Sequence, residues 1–307
     1  MRKFFYFLLF LVLIAAGLEY LLRTTITKSM LPPKKEDSVN PSEFLFTAND
    51  LKFPTTDGVN LHGWLIHGKP GYPAFVLAHD YGSDRSDLLG KLEGLITRLN
   101  KEGYFILLFD FRGHGDSDSR STFGFRESQD LHAAFQAILK YKVIDRRMGV
   151  LGVGMGAIAA IRGCQSVDEV KFLILDSVYD NIPERVTNDL LSEWPPFLAF
   201  IHPTVTRAVD WNLRDMLHLQ STNLDLQKGV ASLYPRPLLF VDHNPLSQNA
   251  RDLYEAAKEP KEMFQMKETA SDDLVGTSRE EYNNQLWDKI QKYLPAVKEE
   301  QTLEIKH

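Results

Sequence analysis

The sequence predicts an α/β protein with a mostly parallel central sheet and helices on both faces of that sheet. Short apolar runs without polar alternation, such as Ala74–Ala78 and Phe105–Phe109, are typical of strands buried on both faces. Segments with helical periodicity separate these runs, for example Glu127 to Lys142. Strands that alternate with helices at this spacing form parallel sheets with helical crossovers. The 307 residues, of which 44% are hydrophobic, are enough for one large domain of this class.

The composition excludes several kinds of function. The net charge of -6 argues against a nucleic-acid partner, because no basic surface is available to neutralise phosphates. The only cysteine, Cys164, cannot form an internal disulfide, and it is expected to be a small buried hydrophobe. No metal-binding motif of familiar spacing occurs, so neither a metal nor another cofactor is predicted.

The N-terminal residues 1–30 contain an apolar run from Phe4 to Leu18 that follows Arg2 and Lys3. Its length lies between the roughly 20 residues of a spanning helix and the roughly 7 to 15 of a signal-peptide core. We predict a single membrane-anchoring helix with the following domain on the extracytoplasmic side. A cleaved signal segment, followed by export, and a buried N-terminal helix are the alternatives.

The proline-rich and polar residues 31–48 have the composition of a linker. The predicted domain covers residues 49–294 and begins with two strands joined at Asp57-Gly58, a typical hairpin-turn pair. A charged tail, residues 295–307, ends the chain.

The remaining elements of the predicted domain follow in chain order. They are a helix at about 85–101, strands at 148–151 and 172–175, a strand at 238–241, a helix at 249–257, a strand at 262–266 and a helix at 278–294. Residues 178–233 break this alternation and contain many aromatic residues without clear strand signals. We predict that they form a helical lid inserted over the carboxyl ends of the strands.

One glycine-rich stretch connects a predicted strand directly to a predicted helix. It reads Gly152-Val153-Gly154-Met155-Gly156, with the strand before it and the helix opening at about Met155. Glycines allow a backbone to bend this sharply.

Four segments together resemble the α/β-hydrolase superfamily, in particular its bacterial serine-aminopeptidase-like and esterase-like members. They are V-L-A-H-D-Y-G-S-D, D-F-R-G-H-G-D-S-D, L-G-V-G-M-G-A-I-A-A and R-P-L-L-F-V-D-H-N-P, in the order of that family. The resemblance implies the α/β-hydrolase fold with a lid insertion. It also implies that the glycine-rich turn is the nucleophile elbow, G-x-S-x-G, of a Ser-His-Asp triad.

None of the three triad positions holds its expected residue. Gly154 occupies the nucleophile position and has no side chain to attack a substrate. The resemblance places Asp272 or Asp273 at the base position, and His307 is the only histidine after Asn244. It places Asn244 at the acid position, with Asp242 as a displaced alternative. His114, in the second segment, is expected to organise its loop rather than to catalyse.

The surroundings of the missing nucleophile are expected to persist. Backbone N–H groups at Met155 and near Tyr81 should point at the oxyanion position, where a helix N-terminus favours negative charge. This pocket could take a carboxylate, carbonyl or acyl ligand. The resemblance implies a glycine after His79, but this chain has Asp80 there, which is expected to narrow the pocket or to change its charge. Alternatively, Gly154 only relieves strain in a vestigial turn.

Three hypotheses for the function follow. The first is a membrane-tethered pseudohydrolase that binds a ligand or serves as a scaffold. The second is a hydrolase of esters or amides with a non-standard arrangement, such as a water held by Asp272 or Asp242. The third is a subunit that regulates an active hydrolase. The sequence names no protein partner.

Overall fold

A computed structural model of the chain describes residues 2–31, 38–192, 194–243, 248–266 and 277–296. The chain forms two compact units. The sheet unit comprises Pro33–Asp180 and Leu224–His307, and the helical unit comprises Met1–Pro32 and Asn181–Asn223.

The sheet unit contains one sheet of eight strands. They are β1 (Ala48–Pro54), β2 (Asn60–Ile66), β3 (Ala74–Ala78), β4 (Phe105–Phe109), β5 (Met148–Val153), β6 (Val170–Asp176), β7 (Leu238–Asp242) and β8 (Lys261–Gln265). Their spatial order is β1-β2-β4-β3-β5-β6-β7-β8. Strand β2 pairs antiparallel with β1 and β4, and every other pairing is parallel. The predicted mostly parallel sheet is therefore confirmed.

The helices are numbered along the chain through both units. They are α1 (Arg2–Ser29), α2 (Arg85–Lys91), α3 (Glu93–Glu102), α4 (Glu127–Leu139), α5 (Met155–Gly163), α6 (Ile182–Leu191), α7 (His202–Leu217), α8 (Leu226–Ser232), α9 (Gln248–Ala256) and α10 (Thr277–Tyr293). The single helix predicted from Arg85 to Lys101 is wrong, because Leu92 has a non-helical backbone and separates α2 from α3. Gly90 and Gly94 flank this break, and glycine disfavours a continuous helix.

Apolar runs form the core of the sheet unit. Every residue of β3 and β4 is buried, as their continuous apolar sequences predict. Strand residues such as Phe75, Leu108 and Ile174 form a cluster with Leu286 of the last helix. This core fixes the carboxyl ends of β3, β5, β6 and β7 beside one another.

The segment predicted as a linker is ordered where the structure describes it. Pro41–Phe44 form a 3-10 helix whose capping box joins Asn40 and Glu43. Phe44 and Phe46 pack against the core of the sheet unit. The two phenylalanines give this proline-rich stretch apolar area to bury, which a solvated linker lacks.

The helical unit combines the N-terminal helix with part of the predicted insertion. It contains α1, α6, a 3-10 helix (Pro196–Ile201) and α7, whereas α8 belongs to the sheet unit. Helix α1 is long and apolar enough to cross a membrane, a property that signal sequences share. Much of the predicted insertion is helical, in α6, the 3-10 helix, α7 and α8, and its role as a lid stays a prediction.

Candidate functional site at the turn between β5 and α5

The turn between β5 and α5 has the strained geometry that a nucleophile elbow requires. Gly154 lies between the strand and the helix with φ +52° and ψ −111°, a conformation that residues with side chains rarely adopt. A Cβ on Gly152 would overlap the backbone of Gly156, and a Cβ on Gly156 would overlap the carbonyl of Ala78. The three glycines therefore permit a close approach of β5, α5 and β3.

The carboxylate of Asp80 lies in the space beside Gly154. Asp80 follows the end of β3, and its Oδ1 accepts hydrogen bonds from the N–H groups of Tyr81 and Met155, both at 2.7 Å. A Cβ built on Gly154 would overlap this carboxylate. Asp80 thus takes the volume that a side chain at position 154 would need.

The two N–H groups belong to the residues at which the sequence predicts an oxyanion hole. One belongs to the residue after the nucleophile position, Met155, and the other to the loop after β3, at Tyr81. The N-terminus of α5 adds a partial positive charge. The predicted pocket residues Asp80, Tyr81 and Met155 thus lie together. The acceptor of both N–H groups is Oδ1 of Asp80, an atom of the protein itself.

Two buried histidines stand beside this turn in fixed tautomers. Nε2 of His79 accepts the N–H of Phe111 at 3.0 Å, so its Nδ1 donates to the carbonyl of Asp80 at 2.7 Å. Nε2 of His114 accepts the N–H of Gly82 at 3.2 Å, so its Nδ1 donates to a backbone carbonyl at 3.0 Å. Burial lowers the pKa of both imidazoles. Both rings are therefore neutral, and both of their nitrogens are engaged by the backbone.

The D-F-R-G-H-G-D-S segment builds two buried ion-pair networks. Asp110 accepts the backbone N–H of Arg85 at 2.8 Å and forms an ion pair with its guanidinium. Burial raises the pKa of Asp110 to about 6, and the Arg85 charge acts in the opposite direction. Arg112 bonds Asp130 at 2.6 Å and Asp57 at 2.8 Å. The specific motif of the sequence thus organises loops around the turn.

A third polar cluster, the Asp176 cluster, joins the ends of β6 and β7 to α10. Asp176 Oδ1 lies 2.9 Å from Nε2 of His243 and accepts the hydroxyl of Ser177 at 2.8 Å. Asp176 Oδ2 accepts the hydroxyl of Tyr282 at 2.5 Å. Burial, and then the Asp176 charge, raises the pKa of Tyr282, so the phenol remains a donor. The side chains of Asp176 and His243 are each 4% exposed.

Sequence reasoning missed this cluster. His243 directly follows the β7 strand, and Asp176 closes β6. Parallel neighbouring strands end at the same edge of a sheet, so the order of the strands was the signal that could have joined the two residues. The missing information was that β6 and β7 are neighbours.

The predicted acid and base positions are described only in part. Asp242 ends β7 with its side chain buried, and its carbonyl accepts the N–H of Met266 at 2.9 Å. Asn244, Asp272 and Asp273 lie outside the described residues.

Cys164 is fully buried, as expected, and burial raises the pKa of its thiol. Among the described residues no group of three or more His, Cys, Asp or Glu side chains could hold a metal ion.

Comparison with known proteins shows which family and which relatives this chain resembles in sequence and in structure. The profile of the alpha/beta hydrolase family matches residues 65–287. The protein YfhR of Salmonella typhi is 23% identical over 283 residues, which is 83% of each chain. A polyketide transferase of Stachybotrys chlorohalonatus is 23% identical over 71% of this chain and 88% of its own. An esterase of Pyrococcus furiosus superposes with a TM-score of 0.68 at 23% identity, over 86% of this chain and 97% of the esterase.

Proposed function

This chain belongs to the alpha/beta hydrolase family, and on that premise we propose that it is a membrane-tethered pseudohydrolase. In this proposal the sheet unit has lost acyl-transfer chemistry and serves as a scaffold. The N-terminal helix holds the protein in the membrane, with the sheet unit on the extracytoplasmic side.

The position of Asp80 is the observation that carries this proposal. An oxyanion hole stabilises charge that develops on the substrate, so its donors must be available when the substrate arrives. Here the N–H groups of Tyr81 and Met155 hold a carboxylate oxygen of the chain itself. Gly154 offers no nucleophile beside it. A filled hole favours the scaffold over a bound acyl or carboxylate ligand at this turn.

The state of the neighbouring histidines supports the same proposal. A general base needs a free lone pair within reach of the hydroxyl or water that it activates. The backbone occupies both ring nitrogens of His79 and His114. His243 lies beside Asp176 and is almost fully buried. Loss of one triad member is already crippling, because the members act as a unit.

Helix α1 supports the tether. Its apolar side chains from Phe4 to Ile14 are exposed in the helical unit, which is unfavourable in water and favourable in a bilayer. Basic residues stand on both sides of the run, Arg2 and Lys3 before it and Arg23, Lys28, Lys34 and Lys35 after it, so the extracytoplasmic placement rests on default export of the domain and not on a charge asymmetry.

Hydrolysis of short- and medium-chain aryl esters by the full chain in detergent micelles tests the loss of chemistry. A fluorophosphonate probe that labels reactive serines is applied to the same sample, and a serine esterase serves as the positive control. We expect no turnover above the uncatalysed rate and no labelling of the folded protein. Labelling of any serine would overturn the proposal, because a working nucleophile would then exist.

A hydrolase with a non-standard arrangement is the second candidate, and the Asp176 cluster favours it. His243 would accept a proton from a water molecule that attacks an ester carbonyl, and Asp176 would stabilise the resulting imidazolium. Turnover without fluorophosphonate labelling, lost in His243→Gln and retained in His114→Gln, would support this candidate. Turnover that survives His243→Gln would contradict it.

A further inference from the structure

The helical unit contains a large apolar cavity between α1 and the inserted helices. Its volume is about 620 Å³. Its wall includes Leu18 and Leu22 of α1, Leu191 of α6, and Val205 and Ala208 of α7. Pockets for small ligands commonly have volumes of roughly 300–1,000 Å³, so this cavity can hold an apolar molecule of substantial size.

Polar contacts fix the two walls of the cavity to each other. Glu19 of α1 accepts a hydrogen bond from Nδ2 of the buried Asn212 at 2.8 Å. One turn further along α1, Arg23 forms an ion pair with Asp215 of α7. Glu19 is part of the cavity wall, and Arg23 follows it one turn along the same side of α1. Side-chain contacts between α1 and α7 therefore hold the walls of the cavity in place.

The cavity continues the apolar surface of α1. The exposed run from Phe4 to Ile14 leads directly to Ala15 and Leu18 in the cavity wall. Leu18 is 63% exposed and Trp194, also in the wall, is 48% exposed, so the cavity is open to its surroundings. Such an apolar opening is unfavourable in water. Along a helix that enters a bilayer, the apolar groups available to fill it are lipid chains.

The exposed aromatic residues of the helical unit agree with a position at the membrane surface. Trp194, Phe200 and Trp211 are all about half exposed or more. Tryptophan is enriched where a membrane protein meets the boundary between headgroups and hydrocarbon.

We propose that the cavity between α1, α6 and α7 binds one acyl chain of a membrane phospholipid. This inference rests on the proposed membrane tether, and it is independent of whether the sheet unit hydrolyses anything. The acyl chain enters along α1 and lies against Leu22, Val205 and Ala208, while the lipid headgroup stays at the membrane surface.

Photochemical labelling of the full chain tests this assignment. The protein is reconstituted in phosphatidylcholine vesicles that contain a phosphatidylcholine with a diazirine in its acyl chain, and labelled peptides are mapped by mass spectrometry after irradiation. We expect labelling of α7 at Val205 and Ala208 in addition to labelling of Phe4 to Ile14.

Variants that fill the cavity from opposite walls provide the decisive comparison. Ala208→Trp and Ala15→Trp should each reduce labelling of α7 by at least fivefold. Arg207→Trp adds the same ring at an exposed neighbouring position outside the cavity wall and should leave labelling unchanged. Equal α7 labelling in all three variants and the native chain would overturn the proposal.

The remaining outcomes separate the cavity from the tether. Labelling confined to Phe4 to Ile14 would overturn the acyl-chain site and leave the tether standing. Absence of the intact chain from the vesicle fraction would overturn the tether and with it the proposed function. A diazirine fatty acid added at equal concentration should label α7 less than the phospholipid does. Stronger labelling by the free acid would contradict the assignment to a phospholipid.

Discussion

Gly154 and Asp80 are neighbours in space at the turn between β5 and α5. Position 154, where the family resemblance predicts a nucleophile, holds a glycine, and the position after His79 holds an aspartate. The carboxylate of Asp80 fills the space beside Gly154 and satisfies the N–H groups of Tyr81 and Met155. The two positions therefore form one steric unit, in which a side chain at one position restricts the space at the other.

This coupling predicts that Gly154→Ser destabilises the protein and that Asp80→Gly partly restores it. The serine Cβ would overlap the Asp80 carboxylate, and forced overpacking costs about 1–3 kcal/mol. The free energy of unfolding, measured by urea denaturation in detergent, gives the coupling energy of the double-mutant cycle. We expect the double variant to be more stable than the sum of the single changes by ~1 kcal/mol or more.

Two controls isolate the steric overlap. Asp80→Asn keeps the volume of the side chain and should not restore Gly154→Ser. Gly71 has φ +84°, and a Cβ there would meet no neighbouring atom. Gly71→Ser therefore measures the cost of a side chain at positive φ without a steric overlap. Asp80→Gly should leave Gly71→Ser unchanged. Strict additivity of Gly154→Ser and Asp80→Gly would refute the shared space.

A second prediction concerns activity at the same residue. Gly154→Ser alone should not hydrolyse aryl esters, and neither should the double variant with Asp80→Gly. In the described part of the chain the new hydroxyl would have no histidine available to activate it, because the backbone holds His79 and His114 and His243 is buried against Asp176. Ester turnover and fluorophosphonate labelling are the measurements. Robust turnover in either variant would show that a base exists at this site.

At the scale of elements, the Asp176 cluster connects α10 to the ends of β6 and β7. Tyr282→Phe removes the only hydroxyl of α10 that reaches a buried carboxylate among the described residues. A buried acceptor that loses its partner costs about 1–3 kcal/mol. We expect a loss of this size in the free energy of unfolding, measured by urea denaturation.

The same helix offers the matched control. Tyr293 donates its hydroxyl to Glu262, which is partly exposed and also bonded by Lys289 and Lys292. Tyr293→Phe should cost less than Tyr282→Phe, since water and the lysines compensate. An equal loss in both variants would mean that burial of Asp176 does not set the cost.

The turn between β1 and β2 is linked to α4 through Arg112, and this link should depend on pH. The hydrogen bond from Arg112 lowers the pKa of Asp57 from 3.8 to about 2. The folded-state pKa is depressed, so the contribution to stability is present above pH 3.8 and is lost as the pH falls toward 2. Asp57 is about one-third exposed, and screening reduces its contribution to ~1 kcal/mol.

Denaturation at several pH values checks this prediction. Asp57→Asn should be less stable than the native chain at pH 6, and the difference should shrink by pH 2. Asp50→Asn, at an exposed position of β1, serves as the control and should show no such convergence. A difference between the native chain and Asp57→Asn that is constant from pH 6 to pH 2 would contradict the link.

Local sequence predicted the elements well and the site only in part. The bounds of β3 and β4 follow from continuous apolar runs, which are a local property. The pairing of His243 with Asp176 depends on two strands that are distant in sequence. The position of the Asp80 carboxylate depends on a side-chain rotamer and on the space beside Gly154. Both are tertiary properties that no periodicity records.

At the scale of the whole molecule, the predicted tether rests on α1. Leu11→Arg places a charge in the middle of its apolar run, which costs about 2.5–3.5 kcal/mol in a spanning helix. We expect a smaller share of the protein in a carbonate-washed membrane fraction. Leu45→Arg, at a 93% exposed position of the sheet unit, is the control and should leave this share unchanged. Equal fractionation of both variants would contradict anchoring by α1.

The contact between Asp80 and Gly154 also sets the order in which the two positions could change. A serine at position 154 must displace the Asp80 carboxylate if Asp80 is still present, and loss of Asp80 first removes the acceptor that satisfies two backbone N–H groups. Either substitution made first is therefore expected to destabilise the protein. Asp80 and Gly154 thus constitute an epistatic pair, in which each residue favours retention of the other.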